Sequence, residues 1–251
     1  MIGDNDNYII SDDFIVSDII EYDMHEGGWS IIQNERLVPP EIMESLSKLD
    51  KYARHIEIGK LKYKIKGFQK ELSRCFRKYR LMFITANDLS ESDIVSIKKD
   101  AIFVKKYCYN TDFGDNVIFA EKHLYSAFMK INRLEFYWGS DNVLDIKGIS
   151  DANLELHKNY MMKFLHRMIY KIAFADNHEC IRYIIKFMND YKKYQLDAGY
   201  YRPFNSTPFY PMMIDGVEHP VEYISKDYLP MCDISYNYVN ILVPILNIVN
   251  S

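Results

Sequence analysis

The chain has 251 residues, enough for one large domain or two small ones with a sizeable core. A formal net charge of −4 excludes a protein driven onto nucleic acid by its overall basic balance. Four dispersed cysteines without a CxxC pair argue against a zinc site and for a reduced, intracellular protein. No apolar run is long enough to span a membrane and no signal peptide precedes the acidic start, so the expected location is cytoplasmic with no membrane partner.

Residues 4–13 are polar and read as a frayed start. Residues 14–23 read as a buried strand ending on Asp23. Gly27 and Gly28 follow, and 29–32 suggests a short helix or a turn. Pro39 and Pro40 mark the next boundary, with a helix over 41–49. From 52 to 86 the apolar residues Ile56, Leu61, Ile65, Phe68, Leu72, Phe76 and Leu81 recur at helical spacing, which predicts one or two long helices. This stretch concentrates positive charge at Lys60, Lys62, Lys64, Lys66, Lys70, Arg74, Arg77, Lys78 and Arg80. Such a face is either the solvated side of an amphipathic helix or a phosphate-binding surface; in the second case its contribution is strongly salt-dependent.

After a loop at 87–93, residues 94–104 place two apolar, β-branched runs around Lys98, Lys99 and Asp100, the pattern of a tight β-hairpin. A surface turn accounts for an Asp at this place, because turns favour it. A metal-binding acid would also be put there if its position mattered, since two strands point it outward. Further strands are predicted at 116–120, 134–138 and 143–148, the last ending at Gly148. From Asp151 the period becomes helical, with 154–173 and 178–194 forming an antiparallel pair around a short connection at 175–177. Residues 203–227 are loop-rich and aromatic, and 233–238 leads into a last apolar helix over 239–248. The predicted class is α+β: an antiparallel sheet with a hairpin over 1–150, followed by a helical lobe over 151–251.

Asp23 ends one predicted strand and Asp100 sits at a hairpin tip. Adjacent strands would bring the two carboxylates within reach of shared divalent ions, Mg²⁺ or Mn²⁺. Other tempting residues read more simply. His25 has no other His or Cys spaced to complete a site, Ser30 lacks the Gly-x-Ser-x-Gly elbow of a nucleophile, and Trp29, Tyr236 and Tyr238 read as packing residues.

The stretch Asp23 to Pro39, D-M-H-E-G-G-W-S-I-I-Q-N-E-R-L-V-P, resembles the first palm motif of family-B DNA polymerases, in which a metal-binding Asp is followed seven positions later by a Ser and two apolar residues. The hairpin K-K-D-A-I-F-V is similar to that family's palm hairpin, with Asp100 in the place of its second metal-binding Asp. Residues 129–138 and then Asp145-Ile146-Lys147-Gly148-Ile149 resemble the family's K-K-R-Y and K-G stretches, and 233–248 resembles its thumb closure. The resemblance runs from about Ile19 to the end, with four motifs in the family's order.

It implies a polymerase-like palm with reduced fingers at about 41–88 and a thumb-like lobe. The implied activity is a template-directed nucleotidyltransferase using two divalent ions held by Asp23 and Asp100, with the main-chain carbonyl of Met24 a third ligand. Lys60, Lys62, Lys64 and Lys66 would meet the incoming nucleoside triphosphate. Lys130, Arg133, Lys147 and Gly148 would lie along primer-template nucleic acid. Gly28 stands where the family has a Tyr that blocks the ribose 2′-hydroxyl, and Lys98 replaces the first hairpin acid. The family's fingers motif is not recognisable, and its exonuclease domain has no room. A virus or mobile element would suit so compact a form, with a second chain supplying what is missing. The alternative is a non-catalytic, polymerase-derived replication subunit or split-polymerase fragment that holds primer-template duplex.

Overall fold

The computed structural model describes residues 7–131, 134–139, 143–148, 163–164, 166–174, 176–201, 212–219, 227, 229, 242, 244–246 and 249. The strands β1 (Asn7–Ile9), β2 (Phe14–Met24), β3 (Ile94–Lys98), β4 (Ala101–Val104), β5 (Phe119–Ile131), β6 (Leu134–Trp138) and β7 (Leu144–Lys147) form one antiparallel sheet in the order β1-β3-β4-β2-β5-β6-β7. The α+β class expected from the sequence is therefore what the chain adopts. No described helix is long and apolar enough to cross a membrane.

By contact density the chain forms two compact units. The first comprises 7–11 with 17–125, and the second 12–16 with the described residues from 126 onward. In the first unit the apolar run Ile19–Ile20 continues through Tyr22 and Met24 as the buried face and end of β2. β2 pairs with β4 in a register that sets Tyr22 opposite Ile102 and Asp23 opposite Ala101. β3 and β4 are joined by the two-residue turn Lys99–Asp100 and are buried along most of their length. The N-terminal stretch read as frayed holds a short strand: β1 pairs with β3, Tyr8 opposite Ile97. Its three residues carry too little pattern to announce a strand, and the exposed edge of β3 supplies the order.

Four helices cover this unit: α1 (Gly27–Glu35), α2 (Pro40–Ser47), α3 (Lys51–Lys64) and α4 (Phe68–Ala86). α2 starts with Pro40 in its first turn, where a missing N–H costs nothing. α3 is capped by Asp50, whose carboxylate accepts the Ala53 N–H at 2.8 Å. The long helical pattern divides at Gly67, whose φ of 82° no helix interior accommodates. α4 is the amphipathic anchor, burying Phe68, Leu72, Cys75, Phe76, Tyr79 and Phe83 at three- and four-residue intervals. Ile56, counted as core from its spacing, is 41% exposed; Ile58 faces inward in its place, together with Leu61 as expected. The predicted strand at 116–120 begins later, with Phe119 the first residue of β5 and Ile118 in an isolated bridge to Asp112.

The second unit packs β6, β7 and the later part of β5 with helical residues among 163–174 and a helix Asn177–Lys192, around Phe164, Met168, Ile184, Phe187 and Leu242. Asp176 caps that helix by accepting the His178 N–H at 2.7 Å. Within the stretch read as loop, β8 (Met212–Ile214) and β9 (Val217–His219) form a separate hairpin turning at Asp215–Gly216, both at positive φ. Residues 242, 244–246 and 249 are helical, in line with a last helix near 239–248. Arg133, Cys232, Tyr236 and Tyr238 lie outside the described residues.

Candidate functional site

Asp23 is the penultimate residue of β2, and Asp100 is the second residue of the β3–β4 turn. Because β2 and β4 are neighbours, the two acids meet: the Met24 N–H donates to the Asp100 carbonyl at 3.0 Å, tying the strand end to the turn. The turn itself is strained. Lys99 has a φ of 43°, a left-handed conformation that costs a lysine about 1 kcal/mol. Arg80, wholly buried in α4, donates to the Lys99 carbonyl and holds the turn in place. The Lys99 ammonium lies 5.1 Å from the centre of the Phe76 ring, a second attachment to α4.

Burial pushes the Asp100 carboxyl above the ordinary Asp range, and the neighbouring charge of Asp23 pushes it further; Lys99 and Lys122 offset this only in part. No ion pair joins the Asp100 carboxylate among the described residues. A buried aspartate whose charge is disfavoured by the aspartate beside it gives, with that neighbour, a pair of hard oxygen donors suited to a divalent cation such as Mg²⁺. Asp23 and Asp100 are the side chains that would hold it.

Both acids line a cavity of about 530 Å³, entirely within the first unit. That volume is in the range of small-molecule sites, roughly 300–1,000 Å³. Met24, Gly28, Trp29 and Phe76 form apolar wall, while α3 contributes Lys51, Tyr52, Arg54, His55, Ile58 and Gly59. Arg54 is fixed by three contacts: Glu26 at 2.8 Å, the Leu49 carbonyl at 2.7 Å, and the Trp29 ring, 5.0 Å from its guanidinium carbon. Its buried Nε has no hydrogen-bond partner among the described residues.

The sequence reading brought Asp23, Asp100, Met24 and Gly28 to one place, and the fold gathers all four at this cavity. Gly28 leaves real space there, for a Cβ would meet only Ile58 Cγ2, at 3.8 Å. Lys60, Lys62, Lys64 and Lys66 are not part of the lining. Lys60 and Lys64 pair with Glu57 at 2.6 and 3.3 Å, Lys62 lies over the Tyr63 ring, and Lys66 is exposed beyond the end of α3. The cations at the cavity are Lys51, Arg54 and Lys99. Charge density in the sequence pointed to turns of α3 that do not line this cavity, because the inward face of that helix is set by Ile58 and Leu61. The spacing of Arg54 and Ile58, four apart on one helix face, was the signal available.

Lys130 and Lys147 belong to the second unit. Lys130 pairs with Asp13 at 3.3 Å, and Lys147 approaches Asp145 at 3.9 Å beside Gly148, whose φ is 92°. Three residues of the first unit went unnoticed in the sequence. Lys122 on β5 reaches Asp23 at 3.2 Å and Glu21 at 3.6 Å, and Glu21, 2% exposed, accepts the Tyr125 hydroxyl at 2.9 Å.

The model of one protein family, described as the bacteriophage PBS1 gene 130 protein, matches residues 5–251, which is nearly the whole chain. The chain belongs to this family. Its viral character thus stands at the level of a phage protein family, whose description names no activity. No curated protein matches the chain. Neither finding supports the family-B polymerase resemblance, which rests on the sequence motifs alone.

Proposed function

We propose that the chain is a template-directed nucleotidyltransferase of the DNA polymerase type. The observation that carries this reading is the meeting of Asp23 and Asp100, 77 positions apart and named from motif resemblance, at one cavity that also holds Lys51, Arg54 and Lys99. In this reading the two acids hold a pair of Mg²⁺ or Mn²⁺ ions. When bound, such ions favour ionisation of a primer 3′-hydroxyl and stabilise charge on departing pyrophosphate.

The chain's own residues supply position and charge. Lys51, Arg54 and Lys99 balance the phosphates of an incoming nucleoside triphosphate. Trp29 and Phe76 keep one wall dry, which strengthens each electrostatic contact in the cavity. Gly28 leaves its part of the wall open beside Ile58. Primer-template nucleic acid and a second chain supplying fingers or exonuclease are the partners this reading entails.

The test is primer extension by the purified chain with Mg²⁺ or Mn²⁺, given dNTPs and NTPs separately. Extension is expected, and Asp23→Ala or Asp100→Ala should each lower it by roughly a hundred- to a thousand-fold or more while the circular dichroism spectrum is unchanged. Absence of extension from the wild-type chain alone and with a lysate of infected host would overturn the reading.

One observation favours a second reading, a non-catalytic replication subunit that binds duplex: the Lys122 ammonium already neutralises Asp23. Under it, the Asp variants bind duplex like the wild type and none extends a primer.

A further inference from the structure

The strand order puts β2 between β4 and β5, so Asp23 has a different neighbour on each side. From the β4 side comes Asp100, an acid. From the β5 side comes the Lys122 ammonium, 3.2 Å from Asp23 Oδ2. Lys122 has a second anchor, Glu21 Oε1 at 3.6 Å, two residues back on the same face of β2. Glu21 is itself fixed, buried to 2% exposure with its other oxygen accepting the Tyr125 hydroxyl at 2.9 Å. The ammonium is thus shared between a half-buried acid that faces the cavity and a buried one that does not.

We propose that Lys122 is a built-in counter-ion that competes with a divalent cation for Asp23, and that Glu21 is the position to which it retreats. The inference rests on the metal-binding reading of Asp23 and Asp100. With Oδ2 held by the ammonium, Asp23 offers a cation one oxygen rather than two. A dication entering between Asp23 and Asp100 is repelled by the ammonium already held on the Asp23 carboxylate. A short swing toward Glu21 relieves that repulsion, because one partner already lies within ion-pair reach. Lys122 thereby keeps Asp23 from standing as an uncompensated acid in the metal-free protein and sets the metal affinity below what two free carboxylates would give.

Two substitutions act in opposite directions. Lys122→Gln removes the competitor, and Glu21→Gln removes the retreat, leaving the ammonium committed to Asp23. Mn²⁺ binding to the full chain, without nucleotide, is read by the loss of the free-ion electron paramagnetic resonance signal, with Asp100→Asn as the reference. Lys122→Gln should tighten binding by roughly fivefold, as expected for removing one charge at a partly exposed ion pair. Glu21→Gln should weaken it by a similar factor, and Lys122→Arg should bind as the wild type does. The Lys122 side chain is 47% exposed, so its replacement leaves the core intact. Mn²⁺ binding that depends on Asp100 but is the same in Lys122→Gln would overturn this inference alone. Absence of any Asp100-dependent binding would overturn the inference and the metal-binding reading together.

Discussion

Two adjacent glycines at the start of α1 have opposite surroundings. A Cβ on Gly27 would lie 3.0 Å from Phe76 Cε1 and 3.3 Å from Met24 Cβ and Sδ, inside a packed corner of the core. A Cβ on Gly28 would find only Ile58 Cγ2, at an ordinary contact distance of 3.8 Å. Gly27→Ala should therefore destabilise the protein by about 1–3 kcal/mol through overpacking. Gly28→Ala should be neutral or stabilise by up to about 1 kcal/mol, since alanine is the better helix former. Chemical denaturation of the two variants side by side checks both signs. The sequence shows two adjacent glycines here, and only the packing says which of them is closely approached.

Among elements, α1 and α4 are stapled by a small polar cluster at the C-terminal end of α1. The Glu35 carboxylate accepts the Lys78 ammonium at 2.7 Å and the Tyr79 hydroxyl at 2.5 Å, and Asn34 donates to that same hydroxyl. The Lys78 hydrogen bond, then the Tyr79 one, hold the Glu35 carboxyl below its ordinary value of 4.5, while burial raises the Tyr79 hydroxyl to about 12. A carboxyl whose pKa is depressed by folding contributes stability above its unfolded value and loses that contribution as pH falls through the folded one. Glu35→Gln should thus cost about 1–2 kcal/mol near neutral pH, the scale of a charged hydrogen bond in a largely buried site. The gap to the wild type should close as pH drops below about 4.5. Thermal melts at pH 7 and at successively lower pH measure it, and a gap unchanged with pH would remove the staple from this account. The helices themselves were visible in the periodicity over 52–86. Their join at Gly67 and the rotation that turns Ile56 outward depend on what α3 packs against, which no local pattern carries.

For the whole molecule, the cysteines offer a probe of each compact unit. Cys75 and Cys108 are buried in the first unit and Cys180 in the second, all as free thiols. Burial pushes all three up, Cys108 to about 11. A raised pKa and a closed environment both suppress thiolate reactivity. At neutral pH a thiol reagent should therefore modify no more than one of the four cysteines in the native protein within minutes, and all four after denaturation. Mass spectrometry of the partly labelled chain in rising denaturant then follows Cys108 and Cys180 separately, and so reports whether the two units open at the same or at different concentrations. Rapid native labelling of Cys75, Cys108 or Cys180 would contradict the cores described.

The sequence by itself determined what acts over a few residues. Alternating and β-branched runs set β2, the β3–β4 hairpin and β6; amphipathic spacing set α4; and the strand end and the turn put Asp23 and Asp100 at places where side chains are held firmly. Only the tertiary structure decided which distant groups meet. The order β4-β2-β5 brings Lys122 to Asp23 across 99 positions, and no sequence period spans that distance. The inward turn of α3 exchanges the conspicuous Lys60–Lys66 cluster for Lys51 and Arg54, because burying Ile58 and Leu61 fixes the helix's rotation. Local pattern reports the free energy of forming an element; the pairing of elements depends on surfaces that exist only once the chain has closed.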